Sequence, residues 1–166
     1  MDALADATIG RTFNQYRDSA LRRDRLRSYL ESRHAASILL VGEAPGYRGT
    51  RVSGIPFTSE RQLTGRGPAE ATATIVHRVL EELEIAADVL LWNVVPTHPG
   101  SNRSNRAPTA PEIRAGLPFV WALARGRLVV PVGRVAERAL GIRGIRHPSH
   151  GGGKAFRAGL VESVRG

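Results

Sequence analysis

Three short, almost entirely apolar runs constrain the fold of this chain more strongly than any other feature. They cover residues 38–41, 89–95 and 128–132, and each is followed directly by glycine or proline: Gly42, Pro96 and Gly133. Short runs that are almost entirely apolar are typical of strands that are buried on both faces of a parallel sheet. A weaker run over residues 142–146 predicts a fourth strand.

Helical patterns separate the apolar runs. Apolar residues recur every three or four positions over residues 69–83 and 110–124, a short helix is predicted over 134–140, and a basic helix over 12–32. Strands that alternate with helices predict a three-layer α/β/α sandwich around a central four-stranded, mainly parallel sheet. The length of 166 residues fits one domain, with the basic segment 1–34 packed on it.

The net charge of +9 predicts a polyanionic partner, and nucleic acid is the commonest polyanion in a cell. Lys154 is the single lysine, so a GC-rich genome is an alternative source of the many arginines. Such a bias explains arginine in place of lysine, but it does not explain the excess of basic over the 15 acidic residues.

The sequence has no cysteine, which excludes disulfides, thiolate zinc sites and cysteine-held iron–sulfur clusters. No apolar run approaches the length of a membrane span, and no secretory signal is recognisable. We therefore expect a monomeric cytoplasmic protein that associates with the bacterial nucleoid and needs no metal or cofactor.

Ligands of parallel α/β sheets bind beyond the carboxyl ends of the strands, so the residues after each apolar run are candidates for a site. The first such segment is the glycine- and proline-rich turn at 42–49, which carries the carboxylate of Glu43. Turns of this composition expose backbone N–H groups to a ligand, although many are only turns. The phosphate-binding Walker and dinucleotide fingerprints are both absent from it.

Two single residues add to this pattern. Phe57 follows Pro56 between polar stretches and is either a core residue or a platform for a flat ring. Asn93 interrupts an apolar strand, and its amide offers the donor and acceptor that match the O4 and N3–H edge of a pyrimidine. Capping of a neighbouring loop is an equally good explanation for Asn93 taken alone.

The C-terminal segment 146–154 combines two histidines, a serine and three glycines. A metal site is not expected, because the carboxylates and cysteines that complete such sites are absent nearby. A serine hydrolase is not expected either, since there is no Gly-x-Ser-x-Gly elbow. The segment favours close approach to a phosphate backbone through N–H groups, Ser149 and Lys154.

The order of these motifs resembles the uracil-DNA glycosylase superfamily, and most closely its bacterial and archaeal Gly-Glu-Ala-Pro-Gly branch. The resemblance runs over roughly residues 38–157, and its further elements are the asparagine-containing strand 93–96, the Asn-Arg-x-Pro loop at 105–108 and the glycine turn at 132–136. It implies an enzyme that flips uracil out of single- or double-stranded DNA and releases the free base by hydrolysis, without a cofactor.

The resemblance also implies roles for individual residues. Phe57 would stack on the uracil ring, Asn93 would read its polar edge, and His147 would stabilise the negative charge that develops on the departing base. Glu43 would orient or polarise the attacking water, or balance the positive charge of an oxocarbenium-like sugar. The substrate pocket would be completed by Gly42, Ala44, Pro45, Gly46 and Tyr47. DNA would be held by Arg48, Arg146, Ser149, His150, Gly151, Gly152 and Lys154.

The chain departs from the family pattern at several points. It lacks the four cysteines of the branch, and Arg48-Gly49 stands where many members have acidic residues. Ala44 and Gly46 replace the water-activating aspartate and the thymine-excluding tyrosine of the best-known members. Glu43 or another group is therefore expected to activate water, and Tyr47 is the candidate that would exclude the thymine methyl group.

The leucine that usually wedges into the DNA stack after His-Pro-Ser is also absent. Arg146, Lys154 or Phe156 is expected to take its place. Two alternative functions stay open at this point: a glycosylase for other deaminated bases such as hypoxanthine or xanthine, and a non-catalytic module that binds uracil or damaged DNA.

Overall fold

The computed structural model describes residues 2–165. Its helices are α1 (Asp2–Asp6), α2 (Ala20–Ser32), α3 (Thr50–Ser53), α4 (Glu60–Thr64), α5 (Ala71–Glu82), α6 (Ala110–Ala124), α7 (Arg134–Leu140) and α8 (Gly153–Arg165). Its strands are β1 (Ile38–Gly42), β2 (Val89–Asn93), β3 (Gly100–Ser101), β4 (Ser104–Asn105) and β5 (Leu128–Pro131). The three predicted apolar strands and the helices at 110–124 and 134–140 are present.

The central sheet is parallel and has the strand order β2-β1-β5. Strand β1 lies in the middle and is buried at every position, as its unbroken apolar sequence requires. In this register Gly42 lies beside Asn93 at the carboxyl end of the sheet. The predicted α/β class with a parallel sheet is confirmed, and the sheet brings the Gly42 turn and Asn93 together.

The prediction of a four-stranded central sheet is wrong, because the central sheet of the described residues has three strands. Where a fourth strand was expected, the structure has one parallel bridge between Val132 and Ile145. Helix α7 ends at Leu140 and is followed by Gly141, whose φ of 65° is left-handed, so only a few residues remain before His147. Pro131 also has no N–H group to extend a ladder at this edge.

Side chains of the sheet alternate between two apolar clusters, one on each face. Leu39, Val41 and Trp92 belong to a cluster with residues from α2, α6 and α7, and Leu40 and Leu91 belong to a cluster with residues from α5 and α8. Helices therefore cover both faces of the sheet. Of the helices in the range 2–165, none is both long and apolar enough to cross a membrane.

The basic helix expected at 12–32 starts only at Ala20. Ser19 caps it by accepting the N–H of Arg22, and the preceding residues are engaged elsewhere. Phe13 pairs with His98 through backbone hydrogen bonds, and the Asn14 amide donates to three carbonyl groups at the end of α1. Tertiary contacts thus hold this segment out of the helix.

The segment 99–108 contains a short antiparallel hairpin, β3–β4. Its base is fixed by Arg106, whose guanidinium donates to both carboxylate oxygens of Glu112 at 2.6 and 2.8 Å. Glu112 is only 2 % exposed and also accepts the N–H groups of Arg11 and Thr109. These contacts lower the pKa of Glu112 to about 2.

Candidate active site

A cavity of about 280 Å³ opens at the carboxyl ends of β1 and β2. Nine of the residues predicted for the site line it: Glu43, Ala44, Pro45, Gly46, Phe57, Asn93, His147, Ser149 and His150. Its volume lies just below the usual range for small-molecule sites, about 300–1,000 Å³. The cavity is therefore suited to a single planar ring with a few polar groups.

Gly42 lies directly behind the Phe57 ring and the Asn93 amide. A Cβ atom at Gly42 would lie 2.8 Å from Cε2 of Phe57 and 3.0 Å from Oδ1 of Asn93, so only glycine leaves room for both. Phe57 is 7 % exposed and has a φ of 52°, a left-handed conformation that costs a non-glycine residue about 1–3 kcal/mol. The fold holds this ring against a backbone preference.

Asn93 is only 4 % exposed, yet its side chain makes no hydrogen bond to any group in residues 2–165. Buried amides normally have partners, and a cap on a neighbouring loop would provide one. The Asn93 side chain lines the cavity, which leaves its donor and acceptor available to a ligand. This geometry favours base recognition over loop capping.

His147 follows the bridge residue Ile145 and is oriented by Ser149. The Ser149 N–H donates to Nδ1 of His147 at 3.2 Å, and the Ser149 hydroxyl lies 2.7 Å from the same atom. Because Nδ1 is an acceptor, the neutral ring carries its proton on Nε2. Burial lowers the pKa of His147 below 6.5, and the charges of Arg146 and His150 lower it further. The neutral ring thus offers one N–H donor.

Two carboxyl groups line the same cavity. Burial raises the pKa of Glu43 and of Glu70 above 4.5, and neither carboxylate forms an ion pair within the described part of the chain. Glu43 is half-buried at the end of β1 and also borders a neighbouring cavity of about 610 Å³. That second cavity is lined in addition by His147, Ser149 and Arg146.

The Gly42–Gly49 turn is fixed from the side of the β3–β4 hairpin. The buried His98 ring bridges the carbonyl oxygens of Pro45 and Ser101 at 2.7 and 2.8 Å. The Asn105 side chain accepts the Tyr47 N–H at 2.9 Å. These hydrogen bonds hold the turn that carries Glu43 in one position relative to the hairpin.

The other predicted residues lie outside the cavity. The Tyr47 ring packs under the guanidinium of Arg48, 5.3 Å from its centre, and Tyr47 is not a lining residue. The structure therefore offers no support for Tyr47 as the thymine-excluding group. Arg48, Arg146, Gly151 and Lys154 are exposed.

Gly152 and Phe156 are both buried. A Cβ atom at Gly152 would overlap the carbonyl oxygen of His147 and lie 3.0 Å from that of Ser149, so this glycine serves the packing of the loop. Phe156 is 0 % exposed in the core under α8, so the prediction of Phe156 as a DNA wedge is wrong. His150 is exposed at the cavity mouth with a φ of 52°.

Sequence reasoning missed six lining residues: Thr50, Glu70, Thr72, Pro99, Asn105 and Arg106. Asn105 and Arg106 belong to the Asn-Arg-x-Pro motif, which provided a usable signal for them. Glu70 stands at the start of α5, far from every motif, and no local pattern marks it. Residues 2–165 contain no cluster of three histidine, aspartate or glutamate side chains that would hold a metal ion.

Comparisons with known proteins agree with this architecture. The chain matches the crystal structure of wild-type SMUG2 from Pedobacter heparinus with a TM-score of 0.73 and 13% identity, over 99% of this chain and 94% of that one. That likeness supports the fold. No curated protein sequence matches the chain. The family model described as "Uracil DNA glycosylase superfamily" matches residues 30–162, which is most of the chain. The chain belongs to the uracil-DNA glycosylase superfamily.

Proposed function

We propose that this protein is a DNA glycosylase that removes uracil by hydrolysing its N-glycosidic bond. The observation that carries the proposal is the unpartnered amide of Asn93, which is 4 % exposed and lines the cavity beside the Phe57 ring. The O4 acceptor and N3–H donor of uracil satisfy both ends of such an amide. An aromatic face next to it stabilises a flat base by stacking.

In the proposed reaction, the bond between sugar C1′ and uracil N1 breaks, and its electron pair leaves with the base. The Nε2–H of His147 donates to the O2 carbonyl, where part of the negative charge collects. Water adds to C1′ and loses a proton to the Glu43 carboxylate. The neutral His147 ring stabilises the departing base through this hydrogen bond, and the base does not have to be protonated first.

The base has to leave the duplex to enter a cavity of about 280 Å³, which is too small for a base pair. The exposed cations Arg48, Arg146 and Lys154 are our candidates for phosphate contacts. The net charge of +9 supports DNA as the partner and a location on nucleoid DNA.

The test is incubation of the protein with labelled oligonucleotides that carry one uracil, single-stranded and paired with guanine or adenine, followed by alkali. We expect strand cleavage at the uracil position and none in a thymine control. Asn93→Asp reverses part of the amide's hydrogen-bonding pattern and is expected to lower uracil excision by about 10²-fold or more, since a mismatched buried polar group costs that much discrimination. A folded protein that cleaves no uracil substrate would refute the proposal.

A second candidate substrate is hypoxanthine, because its O6 and N1–H present the same acceptor and donor to Asn93. The same panel with hypoxanthine and xanthine oligonucleotides separates the two. A non-catalytic binding module is distinguished by uracil-dependent binding without released base.

A further inference from the structure

Glu70 is a carboxyl group in the cavity for which the proposed chemistry has no use. It is the N-cap residue of α5, but its side chain makes no capping hydrogen bond. It also has no ion pair among residues 2–165, and burial is the cause of its raised pKa. A partly buried carboxyl group that lines a binding cavity and has no partner is a candidate for contact with the ligand.

Its position is defined by two glycines of the Gly42–Gly49 turn. A Cβ atom at Gly46 would overlap one carboxylate oxygen of Glu70 and lie 2.9 Å from its carboxyl carbon. A Cβ atom at Gly49 would overlap the other oxygen and lie 2.8 Å from the same carbon. The Glu70 carboxyl group therefore fills the space that side chains at residues 46 and 49 would otherwise occupy.

In the proposed pose, one edge of the pyrimidine faces the part of the cavity wall that the Glu70 carboxyl group forms. His147 faces O2, Asn93 faces N3–H and O4, and N1 points to the mouth because it carries the sugar. C5 is the ring atom next to C4, so it follows the Asn93 side. Gly42 lies against Asn93, and Gly46 of the same turn lies against Glu70, which also lines the cavity. We therefore place C5 on the Glu70 side.

We propose that Glu70 is a specificity-determining residue whose carboxyl group faces C5 of the bound pyrimidine and rejects a methyl group there. This inference rests on the proposed function, since it uses the pose of uracil. A C5 methyl group would collide with the carboxyl group or remove its hydrating water. Gly46 and Gly49 lie behind the carboxyl group and have no side chains that could move aside to make room. Tyr47 is outside the cavity and cannot supply this wall.

The test compares three proteins on matched uracil and thymine oligonucleotides: the wild type, Glu70→Ala and Glu70→Gln. Removal of the wall is expected to raise excision of thymine relative to uracil by about 10- to 200-fold in Glu70→Ala, the usual range for one methyl group in a pocket. Glu70→Gln keeps the volume and is expected to keep the discrimination against thymine.

The ratio of thymine excision to uracil excision distinguishes a role of Glu70 in specificity from a purely structural role. If Glu70 only supports the turn, Glu70→Ala lowers excision of both bases equally and the ratio stays flat, which would overturn the inference. A gain of thymine excision in Glu70→Gln equal to that in Glu70→Ala would also overturn it. A wild type that removes no uracil refutes the proposed function instead.

In that case the wall is still tested by equilibrium binding. Fluorescence anisotropy with uracil and thymine oligonucleotides is expected to show the same change of preference in Glu70→Ala, and an unchanged preference would contradict the inference. Gly46→Ala provides a second check, since its methyl group overlaps the Glu70 carboxylate. We expect Gly46→Ala to lower uracil binding and Glu70→Ala in the same chain to restore it; no restoration would contradict the placement of the wall.

Discussion

Replacement of His147 by alanine removes the hydrogen-bond donor that we propose acts on O2 of the leaving base. Because the Ser149 N–H donates to Nδ1, the ring proton lies on Nε2, and no group in the described range 2–165 accepts it. The neutral ring acts as one preorganised hydrogen-bond donor in a half-buried site. Loss of one such donor costs about 2.7–4 kcal/mol of transition-state stabilisation, which is a rate decrease of about 10²–10³-fold.

The assay is single-turnover excision with enzyme in excess over a uracil oligonucleotide, so that the chemical step is measured apart from product release. Ser149→Ala is the matched control: it removes the hydroxyl contact at 2.7 Å but keeps the backbone N–H that fixes the ring. We expect it to lose about tenfold or less, consistent with the loss of one hydrogen bond. A His147→Ala rate within tenfold of the wild type would refute the assigned role of Nε2.

Three further predictions concern charge. Glu43→Gln is expected to abolish excision and yet to stabilise the fold at neutral pH in urea unfolding, because burial raises the pKa of Glu43 and so disfavours its ionised form. In a pH–rate profile, the wild-type rate is expected to fall as the pH drops through this raised pKa, which lies above 4.5. Arg106→Ala leaves Glu112 buried without its cation and is expected to lower the free energy of unfolding in urea by about 3 kcal/mol at neutral pH. The loss is expected to shrink as the pH falls toward 2, because Glu112 then becomes protonated. Arg103→Ala, at an exposed position, is the control and is expected to change this free energy little. Binding to DNA is expected to weaken steeply with salt, and Lys154→Ala to reduce the slope of log Kd against log salt by about one if this residue contacts phosphate; a flat salt response would show that the +9 charge does not serve DNA binding.

Periodicity predicted the parts of the fold that depend on burial alone. Strands β1, β2 and β5 and helix α6 follow from apolar patterns that have few alternatives in a parallel sheet. The fourth strand and the start of α2 were wrong because tertiary contacts decide them. Neither the restriction of residues 142–146 to one bridge between Val132 and Ile145 nor the pairing of Phe13 with His98 has a local signal.

The residues of the candidate site also divide into those that a sequence motif predicts and those that only packing brings to the cavity. Phe57, Asn93 and His147 were predicted because each belongs to a motif with a fixed position after a strand, and the structure brings them to one cavity. Glu70 was missed because its approach to Gly46 depends on how α5 packs across the turn. The role predicted for Tyr47 stays without structural support, since its neighbours in sequence do not reveal that its ring lies near the Arg48 guanidinium and outside the cavity.

The most direct test of the central claim is to quantify the free base released from a single-uracil oligonucleotide by liquid chromatography and mass spectrometry. The wild type is expected to release one uracil per oligonucleotide and to leave an abasic site, while Asn93→Asp, with the same unfolding midpoint, releases little. Released uracil that does not depend on Asn93 would contradict base recognition by this amide. A folded wild type that binds uracil-containing DNA and releases no base would contradict the assignment as a glycosylase.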